Sequence, residues 1–334
     1  MDGSIDTLAA LIAMAGGLVA RTVRRFDLPL LAVGLMLHLV ADLVRNGGWY
    51  GVLRAAGPEY QRLRVRDVEA AAFAGGAVNA LVPARAGDLV KLGVVRRHAP
   101  EARMPTLVAT LLPETLFEWL AGGALLTWAL LAGYLPVGIV AGTVADAGHH
   151  PVTAAAVVAA VVAGAVVTAT VTRRWARRLS HDLAAGLAIL RRPRLFLTRV
   201  ASWQLGGRVI RLAAIACCLS ACRLPGGLAA AGVAMAIDGG TRLHFAPASA
   251  GLRVGLLGYG LPAATGTAVS LPAVIAYLAV VKTARMATAL VIGGAVLVVT
   301  LGARSPRAAL AALRRLREAA PVEPPAAEAP VPTR

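Results

Sequence analysis

Pro83-Ala84-Arg85-Ala86-Gly87 and Pro247-Ala248-Ser249-Ala250-Gly251 are the two stretches whose reading decides the fold of this 334-residue chain. They share the pattern P-A-x-A-G and stand about half the chain length apart. Each interrupts a run that is otherwise apolar. Proline removes a backbone donor and glycine tolerates dihedrals closed to other residues, so each phrase predicts a break in a helix. Inside a membrane a break frees backbone groups, which is tolerated only where they face protein or a water-filled cavity. Two breaks at matching places in two halves predict a repeat-built transporter with a site near the midplane.

Composition sets the class. Hydrophobic residues make up 58% of the chain and mean hydropathy is +0.70. A soluble domain of this length carries fewer apolar residues and more charge. Apolar runs of about 20 residues or more suit membrane helices and not the alternation of a β-barrel. The predicted class is therefore an all-α polytopic membrane protein, placed in the cytoplasmic membrane. The net charge of +17 rests almost wholly on arginine, the two lysines being Lys91 and Lys282. A basic excess in membrane loops reads as positive-inside topology and attraction to anionic lipid. Nucleic acid is not an expected partner, because no basic soluble domain is present. Cys217, Cys218 and Cys222 share one apolar run. Their spacing predicts a helix interior and not a disulfide or zinc framework, and no cofactor is expected. The first apolar run follows Asp2 and Asp6 without a basic n-region, so no cleavable leader is expected either.

The apolar runs are 5–20, 28–53, 68–95 (which contains the first break), 104–133, 151–172, 200–222, 228–264 (which contains the second) and 270–301. Loops 54–67, 96–103 and 173–199, the last with eight arginines, are basic and predicted cytoplasmic. Loops 134–150 and 263–270 carry no Lys or Arg and are predicted outside. The first break then enters and leaves from the cytoplasmic side and the second from the outer side. That predicts about six transmembrane spans plus two re-entrant helical hairpins in an inverted-repeat arrangement. The half-repeats are about 28–133 and 196–301 within a membrane domain 1–303. Residues 304–334, basic and then rich in Pro, Ala and Glu, predict a disordered cytoplasmic tail. Residues 5–20 either span or lie in the interface, since spanning would leave Arg21, Arg24 and Arg25 outside.

Charge at the bilayer centre costs at least about 2.5–3.5 kcal/mol, so intramembrane ionisable groups mark candidate sites. Asn79, Arg85, Asp88 and Lys91 sit in and just after the first break. Arg85 offers a planar fork for a phosphate and Lys91 a mobile point charge. A helix starting near Gly87 would favour an anion at its first turn. Asp88 would cap that helix or pair with Lys91 or Arg85. The alternative for this group is a solvated cytoplasmic loop. Glu114 and Glu118, four apart on one face of the 104–133 run, follow Pro113, which predicts a kink just before them. They need cationic partners, and Arg85 and Lys91 are the candidates. A proton or cation relay and a structural salt bridge both remain open. Asp238, Arg242 and His244 precede the second break and Arg253 follows it. Asp238 and Arg242 are spaced to pair. Lys282 and Arg285 share a face in the middle of the last run and should face a cavity or an acid such as Asp238. A basic cavity in a bilayer suits an anionic headgroup and not a cation channel.

Residues 75–118 resemble the flippase-like family that includes the transmembrane region of lysylphosphatidylglycerol synthases. Members show N-x-x-x-P-x-R-x-G-E-x-x-R followed by E-R-x-x-D. The first pattern falls on Asn79, Pro83, Arg85, Gly87, Asp88 and Lys91, and the second on Glu114 and Glu118. Arg45 sits where such proteins carry a basic residue. Asp88, Lys91, Thr115 and Glu118 replace Glu, Arg, Arg and Asp. A second family phrase, P-x-x-G-G-x-G-x-x-E, falls on Pro247 to Leu256, with Ala250 and Arg253 for glycines and no terminal acid. The resemblance implies a protein that moves an anionic phospholipid or a polyprenyl-linked glycolipid between leaflets, with a separate synthase or glycosyltransferase as a candidate partner. The aminoacyl-transferase domain of some relatives has no counterpart here, so the chain itself is not expected to be an enzyme.

Two rivals remain. A lipid-modifying transferase or glycosyltransferase would need a D-x-D, D-D-x-x-D or H-x-x-x-x-D pattern, and none is found. A non-transporting subunit that anchors a partner enzyme would need none of the charges.

Overall fold

The computed structural model describes residues 26–81, 86–136, 181–240 and 248–301. The expectations for residues 5–20, 134–150, 151–172 and the tail lie wholly or mostly outside them. The described residues are helical throughout, without a strand. The helices are α1 (Leu28–Ala56), α2 (Val65–Leu81), α3 (Ala86–His98), α4 (Met104–Ala109), α5 (Leu112–Leu131), α6 (His181–Gly186), α7 (Pro193–Ala221), α8 (Leu228–Gly240), α9 (Ala248–Thr265) and α10 (Leu271–Leu301). Among the described residues, three stretches are long and apolar enough to cross a membrane: α1, α7 and residues Leu271–Val299 of α10.

Local chemistry explains the boundaries. The Asp27 side chain accepts the Leu30 N–H at 3.0 Å, Pro29 occupies the first turn of α1, and Arg54 sits in its last turn. The apolar run 104–133, expected to be one kinked span, is instead two helices. It divides at Thr110 and Leu111, and Pro113 takes the first turn of α5. Proline lacks the donor for the preceding turn and disfavours helical geometry in the residue before it, so it opens a helix better than it bends one. Cys217 and Cys218 lie in the second half of α7 and Cys222 caps its end, all as free thiols, with Cys218 and Cys222 buried.

Both P-A-x-A-G phrases fall where one helix gives way to the next. Helix α2 ends at Leu81 and α3 starts at Ala86; α8 ends at Gly240 and α9 starts at Ala248. Within each pair the arms pack side by side and antiparallel, Gly75 meeting Gly87 in one and Val233 meeting Gly260 in the other.

Helices α1 and α7 form the largest helix–helix contact, antiparallel, along small residues. A Cβ on Gly51 would lie 2.7 Å from the Arg199 carbonyl, and one on Gly207 3.0 Å from the Ala41 carbonyl. Helices this close gain dispersion along their length, which is the main attraction available inside lipid. Two buried clusters occupy opposite ends of this pair. One joins the end of α1, the start of α7 and the end of α10 to the first hairpin, around Trp49, Leu92, Val200 and Leu297. The other joins the start of α1, the end of α7 and the start of α10 to the second hairpin, around Leu31, Leu219, Val233 and Val274. The helix after each hairpin packs on the other hairpin, α5 on α8 and α10 on α2.

Candidate functional site

Helix α1 presents His38, Asp42, Arg45 and Trp49 at steps of four, three and four residues, which stacks them along one face. Against this stripe stand Lys91 from α3 and Glu114 and Glu118 from α5. Arg45 Nη1 donates to Glu118 Oε1 at 2.7 Å, and its Nε lies 3.7 Å from Glu114 Oε1. Lys91 Nζ lies 3.4 Å from Glu114 Oε2 and 3.8 Å from the Trp49 ring centroid. Glu114 is 7% exposed. Two carboxylates are thus balanced by two cations, with an aromatic face completing the shell around the ammonium. In surroundings this apolar the pairs hold only because all four members are present. Removing one partner of a buried pair costs about 3–5 kcal/mol.

The supports of the cluster are fixed in turn. Trp49 Nε1 donates to Thr110 Oγ1 at 3.1 Å, and Thr110 Oγ1 donates to the Leu107 carbonyl at 2.6 Å. The break between α4 and α5 therefore supplies the hydroxyl that holds the ring. Asn46 Nδ2 donates to Glu69 Oε2 at 2.8 Å, tying α1 to α2. On the α7 side, Arg208 Nη2 donates to the Glu118 carbonyl at 3.3 Å, and its guanidinium lies 5.7 Å from the Phe117 ring centroid. Arg211 is paired with Asp42. At the hairpin tip, Asn79 Oδ1 accepts the Gly87 N–H at 2.8 Å. A Cβ on Gly87 would run into the Gly75 carbonyl, so only glycine lets the arms meet there.

Residues 4–281 match the family model described as the lysylphosphatidylglycerol synthase TM region. The chain belongs to this family. No curated protein and no solved structure matches it significantly. As a member of the lysylphosphatidylglycerol synthase transmembrane-region family, it is a membrane protein related to lipid handling. The match covers both hairpins and ends just before Lys282.

In this family member the sequence-derived candidates separate into groups. Lys91, Glu114 and Glu118 meet, as charge balance required, and Asn79 braces the hairpin tip beside them. Arg85 and Arg242, with His244, lie outside the described residues. Asp88 stands in the first turn of α3 and pairs with no described cation. Asp238 faces Arg253, with Oδ1 and Nη1 3.6 Å apart across the second hairpin. Lys282 is exposed on α10 and pairs with no described acid. Arg285 is half-buried and acts electrostatically on His38 and Asp42 of α1. Among the described residues, neither His38 Nδ1 nor Arg45 Nε has a hydrogen-bond partner, although both are buried.

Sequence reasoning missed the size of this network. Arg45 is its hub, yet only its place in the resemblance drew attention to it. Arg208 and Arg211 lie inside the apolar run 200–222 and carry the same intramembrane-charge signal as the candidates. Glu69 carried that signal too. Trp49 and Asn46 gave no sign, because a tryptophan or asparagine in a span acquires its role only from what packs against it.

Proposed function

We propose that this chain translocates an anionic phospholipid or a lipid-linked sugar headgroup between the leaflets of the cytoplasmic membrane. One observation carries the proposal: two cations and two carboxylates from α1, α3 and α5 are gathered inside an apolar bundle, directly beside an interrupted hairpin. Intramembrane charges of this kind are costly and mark substrate pathways.

The proposed architecture is about six spans with two re-entrant hairpins of opposite sense, related as an inverted repeat. Three facts support it. The second arm of each hairpin starts within a P-A-x-A-G phrase, the two cores sit at opposite ends of the α1–α7 pair, and α5 and α10 cross over to pack on each other's hairpin. The basic loops place the first hairpin's base on the cytoplasmic side.

In the proposed cycle, Lys91, Arg45 and Arg85 receive the phosphate from the cytoplasmic side. A phosphate competes with Glu114 and Glu118 for the same cations, and a displaced carboxylate takes up a proton or turns to water in the cavity. Arg45 Nε, buried and without a hydrogen bond, is a donor such an oxygen would complete. Glu114 and Glu118 hold the cations between substrates. Arg253, Lys282 and Arg285 receive the headgroup on the outer side, and Asp238 holds Arg253 between visits. The chain itself moves lipid and does not modify it; a separate synthase or glycosyltransferase supplies the substrate.

Leaflet exchange of fluorescent lipids in liposomes carrying the purified protein, read by dithionite accessibility, tests this. The expected result is exchange selective for anionic headgroups that Lys91→Ala abolishes. No exchange of any phospholipid or lipid-linked sugar would reject translocation in favour of a subunit that anchors a partner enzyme.

A further inference from the structure

A cavity of about 440 Å³ opens between the start of α2, the end of α3 and the end of α10, lined by Arg66, Asp67, Ala70, Arg97, His98 and Val299. We propose that it binds the phosphate of an anionic membrane lipid at the cytoplasmic surface, as a site distinct from the buried cluster and independent of translocation.

The lining divides by chemistry. Two guanidinium groups supply planar forks that match phosphate oxygens, against one carboxylate in the lining. That carboxylate is already engaged. Asp67 Oδ2 accepts the Arg64 N–H at 2.9 Å across the first turn of α2. Its Oδ1 lies 3.7 Å from Arg66 Nε and 3.8 Å from His98 Nε2, drawing both side chains to one wall. His98 Nδ1 donates to the Val94 carbonyl at 3.0 Å, which fixes the ring. Arg66, 74% exposed, keeps its fork available to solvent.

The opposite wall is apolar. Val299 is 81% exposed and is the last residue of the membrane-crossing stretch of α10. A ligand here therefore meets cations on one side and a lipid-facing helix end on the other. A membrane phospholipid satisfies both: the phosphate sits on Arg66 and Arg97 while its acyl chains descend along α10. Free phosphate satisfies only the first. The volume lies in the range of small-ligand sites and accommodates a phosphate with its glycerol.

The test is binding of phosphatidylglycerol to the full chain in neutral detergent, followed by native mass spectrometry, with phosphatidylcholine and inorganic phosphate as comparison probes. The expected result is selective retention of phosphatidylglycerol, weakened about ten-fold in the Arg66→Ala/Arg97→Ala variant, equivalent to about 1.4 kcal/mol. Arg62→Ala, in the same basic loop but outside the cavity, should leave binding unchanged. Val299→Glu, which leaves every basic group in place, should weaken it. Unchanged binding in the double variant would overturn the proposal. An equal loss in Arg62→Ala would overturn it too, by showing diffuse attraction to a basic loop. Displacement by millimolar inorganic phosphate would reject a lipid in favour of a free anion. Translocation does not enter the readout, so this site and the proposed function fail separately.

Discussion

The second arm of each hairpin begins within a P-A-x-A-G phrase, but the equivalent glycines live in different surroundings. Gly87 is wedged against the Gly75 carbonyl and the Asn79 side chain, whereas a Cβ on Gly251 meets nothing within 4 Å among the described residues. The charges follow the same contrast. Lys91 and Glu114 beside the first hairpin are 12% and 9% exposed, against 27% and 35% for Arg253 and Asp238 of the second, although Arg45 and Glu118 are as open as Arg253. One five-residue pattern therefore makes a helix break twice but makes a tight, polar-braced wedge only once. What differs is the partner surface. Asn79, Gly75 and the α1 stripe stand opposite the first phrase, and the second lacks the terminal acid of the family pattern. The first hairpin is accordingly the one built to hold charge in a fixed place.

The largest effect that would sharpen this contrast is at the hub of the first hairpin. Arg45→Ala leaves Glu118 without its 2.7 Å partner and Glu114 with Lys91 alone, and should cost about 3–5 kcal/mol, seen as a large fall in Tm in detergent. A fall no greater than for an exposed arginine would break the comparison. Next, Gly87→Ala should force the arms apart and cost about 1–3 kcal/mol, whereas Gly251→Ala should stay within about 0.5 kcal/mol. Paired thermal melts decide this, and equal losses would show that both phrases are equally packed. Trp49→Phe keeps the aromatic face beneath Lys91 but removes the bond to Thr110, and should cost about 1 kcal/mol. The smallest effect should be Arg253→Ala, at about 0–1 kcal/mol, because its 3.6 Å pair lacks the hydrogen bond that joins Arg45 to Glu118.

Much of the fold was legible in the residues. The proline of each phrase stands just before the start of a second arm, at Ala86 and Ala248, and the apolar runs at 28–53, 200–222 and 270–301 correspond to α1, α7 and α10. These signals are local, since backbone chemistry and hydropathy act within a few residues. The division of 104–133 was less legible, because Pro113 can bend a helix or begin one and only the packing of Thr110 under Trp49 distinguishes the two. At the site, Glu114 and Glu118 announced a need for cations, and Lys91 met it. Arg45 as the second partner was harder to see, since the α1 stripe becomes a polar face only when α5 and α7 cover it. The pairing of Asp238 with Arg242 lies outside the described residues; Asp238 also faces Arg253 across the hairpin, a contact that spacing along one helix does not reveal.

The central claim is that the buried charges of the first hairpin carry an anionic headgroup across the membrane. The most direct measurement is dithionite-monitored leaflet exchange of phosphatidylglycerol in liposomes, comparing the native chain with Lys91→Ala and Arg253→Ala at equal reconstitution. The account predicts exchange by the native chain, loss of at least about ten-fold with Lys91→Ala, equivalent to about 1.4 kcal/mol, and a smaller reduction with Arg253→Ala. Native-rate exchange by Lys91→Ala would contradict it.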